Sequence, residues 1–208
     1  MQPFSFSSGA VLETGEVKIP YGKHVGARGY HQGSLRVWKV KTDLSNPSLT
    51  AADGGSNRVA WCSVAPLNRR LRLYAYEFNV CTNANKILFA YDLGTVKRCP
   101  EDDIKLGPTP IHFDRLQGGV FTRRGRLIIS RSGPNGVFCF SAISGWCFGG
   151  KQLGDFGSAY SELEGVTVRP WQFNGVSANV HLLELDNDAG NKDDCYVHSF
   201  NVPDPGRL

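Results

Sequence analysis

Apolar and polar positions along this chain fall into short runs broken by Gly, Pro, Asn and Ser, not into the long periodic stretches of helices. The best-formed example is 112–149, which predicts strands at 116–121 (LQGGVF), 126–131 (RLIISR) and 137–142 (VFCFSA), with a short outer strand at 146–148. The aliphatic and β-branched RLIISR suits a strand covered on both faces. Arg123-Arg124-Gly125 and Ser144-Gly145 are turns, with Gly125 free to take positive φ, and GPNG at 133–136 breaks the central hairpin. The Gly118-Gly119 pair removes side chains where neighbouring backbone can come close. No window keeps the i, i+3, i+4, i+7 pattern for three turns, so no amphipathic helix is predicted.

The same order recurs elsewhere. Third strands are predicted at 34–40, 87–93, 137–142 and 196–202, with starts spaced close to a propeller-blade period. Second strands are predicted at 10–19, 70–76, 126–131 and 179–185, and inner strands at 59–66, 116–121 and 163–169. The first unit shows no inner strand. The predicted class is all-β and β-propeller-like: one domain of about four four-stranded units, near 10–55, 58–108, 112–150 and 160–202. A small ring and a truncated larger propeller both fit this count.

Composition adds limits. A chain of 208 residues can bury a real core, and 24 Gly with 11 Pro beside 11% aromatics favour strands and tight turns. No apolar run approaches the ~18 residues of a membrane helix, so no membrane partner is expected. The net charge is +4, and its clusters, Arg69-Arg70-Arg72 and Arg123-Arg124-Arg126, fall in predicted turns and read as solvated loops. That argues against nucleic acid, whose binders gather charge on one face among stacking aromatics. Six cysteines without CxxC or Cys/His spacing exclude a zinc site of the usual pattern. Cys139 with Cys147, facing across a hairpin, and Cys81 with Cys99 are candidate disulfides, with buried free thiols as the alternative. The even count points to an extracellular location, with any secretion signal absent from MQPFSFSS or already removed.

The glycine-rich inner strand LQGGVF, followed by GRLIIS, GVFCF and ELEGVTV (162–168), resembles six-bladed propellers of the gluconolactonase and strictosidine-synthase-like kind over about 58–202. The resemblance is one of pattern. It implies a central funnel whose inner-strand polar residues hold a divalent cation, frequently calcium, although a full ligand set cannot be matched here.

Two carboxylates carry the first candidate chemistry. Glu162 and Glu164 stand two apart on a strand and therefore share a face, where they repel unless a cation or shared proton relieves them. Calcium takes hard oxygen ligands of this type. The plainer reading is one exposed Glu and one capping the Gly165 backbone. His112 and Asp114 repeat the spacing before the Gly118 strand, and a His beside a carboxylate can activate water, with Gln117 placed to position substrate. They are equally an ordinary surface pair. His181 and His198 lie in strands of the last unit, either paired across it or separately satisfied. The run 186–194 (DNDAGNKDD) lacks EF-hand spacing and reads as an acidic turn.

These residues predict a secreted protein that binds a small molecule or carbohydrate at a polar funnel, with lactonase- or esterase-like hydrolysis as an extension. In that extension His112 and Asp114 are catalytic, Gln117 binds substrate, and Glu162 and Glu164 hold calcium. The alternative is a non-catalytic scaffold that binds a protein or an anionic polymer through rim arginines.

Overall fold

The computed structural model describes residues 10–11, 16–24, 33–41, 48–52, 59–67, 70–77, 87–108, 115–122, 125–154, 161–173, 176–186 and 194–201. They form two compact units, 1–105 and 106–208.

The first unit holds two antiparallel meanders. One runs β1 (Ala10–Val11), β2 (Glu16–His24), β3 (Gly33–Lys41), β4 (Ser48–Ala52), and the other β5 (Val59–Leu67), β6 (Arg70–Glu77), β7 (Ile87–Asp92), β8 (Ile104–Lys105). The strand expected at 10–19 is divided: a two-residue β1 pairs back onto β2, and Ala10 lies opposite Lys18. The edge strands β4 and β8 are not read from sequence: SLTAA carries little apolar bulk and β8 is two residues long.

In the second meander, Val64, Leu73, Ala75, Tyr91, Leu93 and Val96 form the core. Its outer strand is only two residues long, and polar contacts extend what the ladder cannot. Behind the 3-10 turn Pro100–Asp102, the Arg72 Nε donates to Asp102 Oδ2 at 2.5 Å and its Nη1 lies 3.5 Å from Asp92 Oδ2. Arg98 grips Asp103 with both terminal nitrogens, at 2.6 and 2.9 Å, while Asp103 accepts from the Ala90 amide. Arg72 is therefore a buried tie within β6, not the solvated turn residue that its charge cluster suggested. Arg72 lies on the face of β6 that also carries the buried Tyr74 and Tyr76, opposite the face of Leu73 and Ala75, and the carboxylates of Asp102 and Asp92 offset the desolvation of its charge. Its ionised form is further favoured, chiefly by the Asp102 hydrogen bond.

The second unit begins with β9 (Leu116–Phe121), β10 (Arg126–Arg131), β11 (Gly136–Ser141) and β12 (Cys147–Gln152), in the sheet order β12-β11-β10-β9. β9 and β10 coincide with the runs read from sequence, β11 starts and ends one residue earlier, and Gly125 takes the expected positive φ of 72°. A three-stranded sheet follows: β13 (Ser161–Phe173), β14 (Val176–Asp186) and β15 (Asp194–Phe200). The two sheets bury one core of Val120, Ile128, Val137, Cys139, Leu163, Val180 and Leu182.

They come close at glycine. A Cβ on Gly118 would sit 2.8 Å from Gly165 Cα, 2.8 Å from Ser130 Oγ and 2.9 Å from Val166 N. The backbone proximity that the Gly118-Gly119 pair predicted is thus a contact between inner strands of successive sheets.

The proposed disulfides are not formed: Cys99, Cys139, Cys147 and Cys195 are free. A register shift between Cys139 and Phe140 places Cys147 opposite Phe140 and leaves Gly149 opposite Cys139, so the two thiols do not face one another. Burial pushes the Cys139 thiol up to about 11, which keeps it protonated and unreactive. Cys81 lies outside the described residues.

Candidate functional site: the head of strand β13

Ser161, Glu162, Leu163 and Glu164 open β13, and they divide between its faces as strand geometry requires. Ser161 and Leu163 are buried, whereas Glu162 and Glu164 are half-buried on the other face. Leu163 pairs with Glu184 and Gly165 with Leu183, so Glu164 has no partner in the ladder and is the extra residue of a β-bulge. The bulge resets the alternation. Val166 and Val168 pack against the same core as Leu163, which an unbroken strand could not arrange.

At this bulge the two carboxyl groups meet. Glu164 is pushed up to about 7, first by burial, then by the charge of Glu162 and by its hydrogen bond to Glu162. The arrangement is a carboxyl holding its proton near neutrality and giving it to a neighbouring carboxylate. It can accept and donate toward a hydroxyl-rich ligand, or exchange the proton for a cation. Gln117 is half-buried on β9 beside Gly118, and Glu164 is beside Gly165, so each neighbours one of the two touching glycines. His112 and Asp114 lie outside the described residues.

As a cation site the pair is partial. Two carboxylates are the hard donors that calcium takes, but calcium needs six to eight oxygens. Among the described residues, the cluster of three candidate ligands is elsewhere, at Cys99, Glu101 and Asp102. There Asp102 already receives Arg72, and burial raises the Cys99 thiol away from the ligating thiolate.

The buried face of the same strand carries a network that no local pattern announced. Asn135, in the β10–β11 hairpin, donates its amide to the Ser161 carbonyl at 3.2 Å and to Ser161 Oγ at 3.1 Å, and accepts from the Leu163 amide at 3.3 Å. Ser161 Oγ hydrogen-bonds Glu184, whose second oxygen meets His198 Nε2. The serine thus bonds the carboxylate and not the imidazole, so the order is unlike a nucleophilic triad. It is a clasp: one Asn side chain satisfies a donor and an acceptor of β13 much as a neighbouring strand would. His181 and His198 are not paired with each other. His181 opposes Ser199 and bonds its hydroxyl at 2.9 Å, while His198 opposes Leu182 on the other face.

The described fold is all-β, built of consecutive antiparallel meanders of the kind that form propeller blades. No family model matches the chain and no curated protein matches it. Among solved structures the chain is similar to BamB from Moraxella catarrhalis, with a TM-score of 0.40 and 9% identity over 94% of this chain and 53% of that one. The chain spans about half the length of that structure. The gluconolactonase-like affinity therefore stands on strand pattern alone.

Proposed function

We propose that the chain is a propeller-like binding protein for a small hydroxyl-rich ligand of carbohydrate type, anchored by Glu162 and Glu164, with calcium as the cation the pair accepts. The observation behind this reading is the proton that Glu164 keeps to about 7 against Glu162. Such a half-buried pair is costly unless something bridges it. A site with few carboxylates binds calcium weakly, which suits an extracellular medium, where calcium modules work at ~10⁻⁴–10⁻³ M. Hydrolysis in the gluconolactonase manner, with His112 and Asp114 activating water and Gln117 orienting substrate, is the catalytic extension and rests on sequence.

Thermal melts with pH and calcium as variables test the anchor. Glu164 is raised in the fold, so its contribution to stability is complete below the ordinary Glu range and is lost as pH rises through about 7. Without calcium, the melting temperature should fall by several degrees between pH 5 and 8, on the order of 2 kcal/mol after allowance for solvent at a half-exposed group. Calcium at pH 8 should restore it, and Glu164→Gln should abolish both responses. A wild-type melt at pH 8 that ignores saturating calcium would remove the cation from the proposal. Equilibrium dialysis against a panel of mono- and disaccharides tests the ligand, and retention of none of them would remove that half.

A further inference from the structure

At one end of the β9–β12 sheet two turns lie side by side, joined by a hydrogen bond from the Ala142 amide to the Gly125 carbonyl at 2.8 Å. The second turn presents Ile143, 78% exposed, and Trp146, 63% exposed, and Phe148, 44% exposed, follows on β12. Three large apolar side chains facing water within six residues are not a normal monomer surface. The turn is also held rigid. The Ile143 and Ser144 amides donate to Ser141 Oγ at 3.3 and 3.1 Å, Gly145 to the Ser141 carbonyl at 2.9 Å, and Trp146 to Ser144 Oγ at 3.4 Å. All four backbone donors of the tip are therefore satisfied from within.

Positive charge adjoins this tip. The Arg126 guanidinium sits 3.4 Å from the centroid of the Phe148 ring. In sequence, Arg123 and Arg124 stand between Thr122 and Gly125. Residues 115–154 contain six Arg or Lys and no Asp or Glu, of which Arg131 and Lys151 lie toward the other end of the sheet, beside Gly136 and Val137.

We propose that this end of the β9–β12 sheet is a peripheral contact surface for an anionic phospholipid bilayer, with Ile143 and Trp146 entering the interface and the arginines at headgroup level. This goes beyond the ligand site and does not depend on it. The expectation of no membrane partner came from the lack of a spanning run, which does not bear on surface contact. Three observations favour a bilayer over single-stranded nucleic acid. The most exposed residue is aliphatic Ile143, which offers no face for base stacking. One face of Phe148 is already taken by Arg126. Satisfied amides lower the cost of entering a medium that cannot hydrogen-bond them, which nucleic-acid binding does not require. Trp at the boundary and Arg extending toward phosphates is the usual division of labour there.

The test is flotation of the full chain with vesicles of phosphatidylcholine alone, or containing about one-third phosphatidylserine, at low and high salt. The protein should float with the phosphatidylserine vesicles at low salt, and its tryptophan emission should shift to the blue. Replacing Ile143 and Trp146 together by Ser should weaken partitioning roughly tenfold or more, and Arg126→Glu with Arg124→Glu should remove the dependence on phosphatidylserine. Unchanged melting temperatures in both variants confirm intact folds. The proposal is overturned by failure to float, by flotation indifferent to Ile143 and Trp146, or by tighter binding to an oligonucleotide that survives the Ile143 and Trp146 changes.

Discussion

Gly118→Ala should destabilise the second unit by about 3 kcal/mol and lower its melting temperature by about 10 °C or more. The added methyl would meet Gly165 Cα and Ser130 Oγ at 2.8 Å and Val166 N at 2.9 Å. Two of those three atoms are backbone of β13, and Ser130 is itself fully buried, so no flexible side chain can yield. The sheets would have to separate where they share the Leu163 core, and lost packing would add to the clash. Gly154→Ala is the control. Nothing lies within 4 Å of its added Cβ, so its melt should match wild type. Equal melts for the two variants would show that β9 and β13 do not touch as described.

The second large effect belongs to the clasp. Asn135→Ala removes three hydrogen bonds at a position only 1% exposed, leaving the Leu163 amide and the Ser161 carbonyl without that partner. The expected cost is about 3 kcal/mol, because stranded buried groups lose more than the average hydrogen bond returns. Amide exchange at Leu163 should accelerate well beyond that at Ile128, which shares its core but not its clasp. Asn135→Asp should not rescue the loss, since it keeps an acceptor but forfeits both donations and adds charge near Glu184. Wild-type stability in Asn135→Ala would mean that packing alone joins the sheets.

The strands of the second unit were legible because their breakers are strong. Gly125 and the 133–136 turn bracket RLIISR so tightly that β10 starts and ends where the pattern does. The first unit lacked such punctuation: LETG at 12–15 was too mild a signal to divide β1 from β2, and SLTAA too small-sided to read as β4. The shared face of Glu162 and Glu164 followed from spacing two, but the bulge at Glu164 leaves no mark in composition. The clasp was invisible for a different reason. Its members are separated by 23 to 28 residues, and Glu184 reads as a polar interruption in NVHLLEL. The available clue was parity: Glu184 stands two after Leu182 and so must share its inward face. The charge cluster at 69–72 misled because Arg72 stands in a strand buried on both faces, where either parity points into packing.

The bulge at Glu164 also sets a reading frame for the residues up to the next register shift, between Val168 and Trp171. Because side chains repeat every two residues, an unbroken strand through Glu164 would turn Val166 and Val168 away from the face of Leu163, and the bulge absorbs the additional residue and keeps them in phase. Straightening the bulge with Glu164 still present would act on the sheet as a frameshift acts on a message, translating Val166 and Val168 to the wrong face although no amino acid had changed. Loss of one residue at this point would leave the message readable, because Leu163 and Gly165 already face consecutive partners, Glu184 and Leu183.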